Sequence, residues 1–190
     1  MHNLFVYFIG ISLFFVSCKK ENNEDLYHLL NECQEDFYLN LGVSVKEKMA
    51  DFEEQLMKEG HLTSKNHLGY RALLRKLSKE LYFAPPLKLD DFNSKLLYEN
   101  PSDILLCVED TYNIDSIRIQ SLPFYAVNDS IRALFSENEE VPVHRLFKIY
   151  ASSVPEEEYA MPFVKESILL FLYRWYFTSK YNRDIPIEME

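Results

Sequence analysis

From Leu4 to Val16 the chain reads LFVYFIGISLFFV, and it stops abruptly at the polar group Ser17-Cys18-Lys19-Lys20. A helix crossing a hydrocarbon core of about 30 Å needs about 20 apolar residues, so this run is too short to span one. It has the length of the apolar region of an export signal, about 7–15 residues. A folded core must then be assembled from residues beyond Cys18. Directly after that cysteine comes Lys-Lys-Glu-Asn-Asn-Glu-Asp, a stretch with no apolar residue and nothing to bury, which reads as a solvated tether over residues 18–25.

Phe15-Val16-Ser17-Cys18 resembles the lipobox of bacterial lipoproteins, in which apolar and small residues precede the cysteine that accepts lipid. Phe15 stands where leucine is usual, and no Lys or Arg precedes the run. The charged residues after Cys18 are similar to the tether of Bacteroidota lipoproteins, whose acidic residues favour transport to the outer-membrane surface. This resemblance implies that residues 1–17 are a signal peptide that is removed. It also implies that Cys18 carries the acyl chains, and that the protein sits lipid-anchored on the bacterial outer membrane, facing the periplasm or the cell surface. Several acyl chains hold a protein stably where one holds it marginally. The alternatives are an uncleaved N-terminal anchor and a plain signal peptide cut elsewhere.

Residues 26–190 then form the expected single globular domain, a length suited to one core. Its hydrophobic content of 47 %, with 15 % aromatic residues, is ample for packing and excludes a disordered chain. Every Lys, Arg, Asp and Glu lies after Cys18, so the mature chain keeps the net charge of -10. Nucleic acid, which demands a basic footprint, is excluded as a partner. Anionic headgroups would repel such a surface, which leaves the acyl chains to hold it at the membrane. With Cys18 assigned to lipid, Cys33 and Cys107 are the one pair left for a disulfide in an oxidising compartment. Two reduced core cysteines are the other reading, and the sequence leaves both open.

Helical periodicity runs through residues 24–60: Leu26, Leu29, Cys33 and Phe37, then Val45, Met49, Phe52 and Leu56. Ser44-Val45-Lys46-Glu47 has the form of a capping box, and Gly60 of a helix terminator. A third helix is expected from Asn66 to Leu81, stopped by Pro85-Pro86, with a sub-boundary near residues 84–88 and a short helix from Asp90 through Tyr98. Ile104 to Val108 and Ile114 to Ile119 read as strands, as does Val143 to Tyr150, rich in β-branched and aromatic residues. A helix is expected from Asn128 through Phe135, and a central buried one from Pro162 onward. The resulting expectation is an α+β fold, mainly α with a few short strands in the C-terminal half.

Over residues 104–190, the order of an apolar strand, a helix, Glu140-Val141-Pro142-Val143 leading into a strand, and Ser153-Val154-Pro155 before a helix is similar to the periplasmic domain of the ExbD/TolR biopolymer-transport family. That likeness implies a transport-accessory domain as one alternative.

Signatures of catalysis are missing: there is no G-x-S-x-G, H-E-x-x-H, C-x-x-C or P-loop pattern. After Gly69 there is no glycine at all, which argues against loops that wrap phosphates. The spacings of His28, His61, His67 and His144 match no metal set, and adjacent pairs such as Glu53-Glu54, Asp90-Asp91 and Glu139-Glu140 do not face one another. No cofactor or metal is expected. The group Tyr173, Arg174, Trp175, Tyr176 and Tyr181 is the candidate for gripping a partner, since Trp, Tyr and Arg dominate interfaces. The expected function is binding of an envelope protein or small ligand at the membrane, with a small enzyme of hidden active site as the other alternative.

Overall fold

The computed structural model describes residues 23–79, 94–97, 101–137 and 141–181. Cys18, the expected signal segment and the expected break at 84–88 lie outside the described residues. The chain begins with α1 (Asn23–Asn40) and α2 (Val45–Lys58). Asn23, Glu24 and Asp25, expected in the tether, instead form the first turn of α1, where acidic side chains suit the positive end of the helix. Gly42, at φ +81°, supplies the left-handed residue that turns the chain between the helices. Ser44 then caps α2, its Oγ accepting from the Glu47 amide at 3.2 Å. Glu35 of α1 completes the joint: one carboxylate oxygen accepts from Ser44 Oγ at 2.5 Å and the other from the Lys46 amide at 2.8 Å. A charged acceptor on orphan amides fixes the angle between the helices.

Asn66 caps α3 (His67–Leu77), its Oδ1 accepting from the amides of Leu68 and Gly69. A Cβ on Gly69 would lie 2.0 Å from the Ser64 carbonyl oxygen, so only glycine fits this approach. A 3₁₀ turn, Ser94–Leu97, precedes α4 (Pro101–Tyr112), α5 (Ser116–Gln120), α6 (Pro123–Glu137) and α7 (Val143–Ser153). Another 3₁₀ turn, Glu157–Ala160, leads into α8 (Pro162–Tyr181). In this glycine-free half the punctuation is proline: Pro101, Pro123 and Pro162 open α4, α6 and α8, where the missing amide costs nothing. Asn113, at φ +53°, takes the left-handed position after α4 that glycine usually fills.

Among the described residues there is no strand, and the α+β expectation is corrected to an all-α fold. Residues 104–108 lie in α4, 116–119 in α5 and 143–150 in α7. The physical reason is clearest in α7. Leu146, Phe147, Tyr150 and Ala151 are buried, and Val143 packs partly against them. That is the period of a helix, and burial of one helical face outweighs the modest β-preference of valine, isoleucine and tyrosine. Both strands required by the ExbD/TolR likeness are therefore helices, and that element order is absent.

Helix α8 is the centre of the core, with Val164, Ile168, Leu169, Leu170, Leu172, Tyr173 and Tyr176 all buried. It packs on α1 and α2, while α3 lies along α7, and α7 along α6. Cys33 of α1 and Cys107 of α4 are joined as a disulfide, with Cα atoms 5.9 Å apart.

Candidate functional site

Where α1, α4, α6, α7 and α8 meet, a cavity of about 480 Å³, partly open to solvent, lies between them. Its size falls within the range of small-molecule sites, about 300–1,000 Å³. Helix α8 contributes one continuous stripe, Phe163, Ser167, Leu170, Phe171 and Arg174, spaced by helical turns. Opposite stand Phe124, Tyr125, Asn128, Ile131 and Arg132 of α6. Gln34 and Tyr38 of α1, Ile104 of α4, and Leu146 and Tyr150 of α7 complete the wall. The aromatic rings brace one another: Tyr125 stacks on Phe163 at 6.2 Å, Phe124 meets Phe163 edge-on, and Tyr150 packs against Phe171 at 5.2 Å. Such contacts hold the wall in shape.

Polar groups punctuate this apolar lining. The Tyr150 hydroxyl donates to Asn128 Oδ1 at 2.8 Å. Arg174 donates through Nη2 to the Tyr38 hydroxyl and through Nε to the Leu96 carbonyl at 2.8 Å. Ser167 Oγ donates to Gln34 Oε1 at 3.4 Å. Gln34 itself is only 3 % exposed, and its amide nitrogen faces the Glu166 carboxyl without a hydrogen bond of good geometry. A buried donor left unmet costs about 1–3 kcal/mol, so such a group calls for an explanation. Beside Gln34, Glu166 is 7 % exposed; burial and then the neighbouring Glu35 raise its pKa to about 7. Gln34 favours the ionised form of that carboxyl, yet Glu166 Oε2 also lacks a partner of good geometry.

Two further buried carboxyls are structural. Glu53 accepts from the Tyr70 hydroxyl at 2.5 Å and faces Lys65 and Lys165, each at 3.4 Å, tying α2 to α3 and α8. Glu158 accepts from the Tyr27 hydroxyl at 2.5 Å, and burial drives both groups toward their neutral forms. Neither carboxyl is among the described residues of the cavity wall, which include no Asp, Glu, His or Cys. The arrangement is suited to holding a molecule.

The residues expected to grip a partner are distributed otherwise. Tyr173 and Tyr176 are buried in the core, Trp175 is part-buried and meets Phe147 edge-on, and Arg174 turns toward the cavity. Tyr181 ends α8, and its side chain lies outside the described residues. Residues 173–176 thus lie buried or half-buried, and among the described residues the exposed large apolar side chains sit elsewhere, on α1, α3, α4 and α5. Gln34, Ser167 and the Asn128–Tyr150 pair escaped sequence reasoning, although the stripe of Ser167 and Arg174 among apolar residues of α8 was a usable signal. Among the described residues no group of three or more His, Cys, Asp or Glu is placed to hold a metal ion. No helix among them is long and apolar enough to cross a membrane. Comparison with known proteins returns no matching family model, no matching curated protein and no matching solved structure.

Proposed function

We propose that this protein is a lipid-anchored envelope lipoprotein whose helical domain binds a small apolar or amphipathic ligand. The observation that carries the binding half is the aromatic cavity among five helices, with convergent polar groups in its wall. The anchoring half rests on the sequence Phe15-Val16-Ser17-Cys18 and the polar stretch after it. Together they describe a domain that meets its ligand beside a membrane, where apolar molecules are concentrated.

Photo-labelling tests the binding. The full chain, held in lipid nanodiscs, is irradiated with a neutral diazirine-bearing decanol, and adducts are located by peptide mass spectrometry. Labels are expected on residues 124–132 and 163–174. They should disappear in Ile104→Trp, which fills the cavity from a half-buried position. Labels scattered over the surface, or labels unchanged in that variant, contradict the reading.

A further inference from the structure

Among the described residues of the cavity wall, the charged ones are Arg132 and Arg174, and both are already matched. Arg132 stands at the exposed rim, with Asp129 3.5 Å away. Arg174 has the Tyr38 hydroxyl and the Leu96 carbonyl among its partners. Gln34 is engaged as well, its carbonyl by Ser167 and its N–H by Glu166. A guest anion would give up its water without finding an unmatched cation, and a guest cation would meet two arginines. Two neutral donors remain, three residues apart on α6. Tyr125 is 5 % exposed, and no group among the described residues takes its hydroxyl hydrogen. Burial keeps that hydroxyl a protonated phenol, and so a donor. Asn128 has its Oδ1 occupied by the Tyr150 hydroxyl at 2.8 Å, which leaves its amide nitrogen to serve a guest. Phe124, Phe163 and Phe171 supply the apolar faces around them.

Resting on the ligand-binding reading above, we infer that the cavity takes an uncharged amphiphile headed by a carbonyl acceptor, an ester or ketone, its oxygen at Tyr125 and Asn128 and its body among the phenylalanines. A few placed donors in an apolar wall are what orients such a guest. The carbonyl oxygen accepts from groups that have no other acceptor to serve, and its desolvation is modest beside that of an ion. Selectivity therefore resides in the absence of charge on the head, and orientation in the two donors of α6.

The test uses the diazirine label on the full chain in lipid nanodiscs as reporter. Methyl decanoate, decane, decanoate and decylammonium compete with it, compared at equal concentration in the lipid phase and at a pH that keeps both ions charged. Methyl decanoate should displace the label about tenfold more effectively than either ion, and several-fold more effectively than decane. Tyr125→Phe removes an oxygen that no neighbour holds, so folding is not at risk, and it should reduce the advantage of the ester over decane. Asn128→Asp keeps an acceptor for Tyr150 while replacing the donor with a carboxylate oxygen; it should abolish that advantage and strengthen decylammonium. An ion that competes as well as the ester, or an ester-to-decane ratio unchanged in both variants, overturns the assignment while the cavity remains a ligand site. If the label never enters the cavity, the broader reading fails and this one with it.

Discussion

Glu166 illustrates how one residue couples burial to pH. Its carboxyl is removed from water on α8, with Glu35 adding repulsion, and Lys46 and Lys165 only partly offsetting both. Its folded pKa of about 7 lies above the ordinary carboxyl value, so protons bind the folded state more tightly than the unfolded one. The stabilisation is present below the ordinary carboxyl range and is lost as pH rises toward about 7. Glu166→Gln removes that dependence. Chemical denaturation should find the variant more stable than wild type by about 2 kcal/mol at pH 8, after allowance for solvent screening, and little different at pH 4. Parallel stability curves for the two proteins between those pH values would show that Glu166 ionises freely.

At the level of elements, the first half of the chain was legible because its signals are local. Ser44, Gly60 and Asn66 mark helix ends by side-chain and backbone geometry that needs no distant partner. The second half misled because its apolar runs are short and β-branched. Ile104 to Val108 satisfies either period over five residues, and the choice is made by what covers it, here α1 across the Cys33–Cys107 bond. In Val143 to Tyr150 the helical spacing is present, but the β-branched and aromatic residue types point toward a strand. The cavity was less legible still, since its wall draws on α1, α4, α6, α7 and α8, and only their packing brings Gln34 to Ser167. The disulfide joins α1 to α4 across a sequence separation of 74 residues, a long closed loop in the unfolded chain. Replacing both cysteines by serine should lower stability by about 2–4 kcal/mol. A reductant should destabilise wild type and leave the double variant unaffected, as thermal melts would read; equal sensitivity of the two would deny the bond.

For the whole molecule, the proposed arrangement joins an acidic helical domain to a membrane through one cysteine and gives it an aromatic cavity to fill. The charge of -10 makes the body of the protein a poor ligand for anionic headgroups, so attachment depends on the acyl chains proposed at Cys18. Intact-mass analysis of the protein extracted from membranes, beside a Cys18→Ala variant, is the decisive test of that attachment. Wild type is expected to lack residues 1–17 and to carry the added mass of acyl chains, with the variant keeping the segment and gaining no lipid. A wild-type protein that retains residues 1–17 and bears no acyl mass would contradict the lipid anchor.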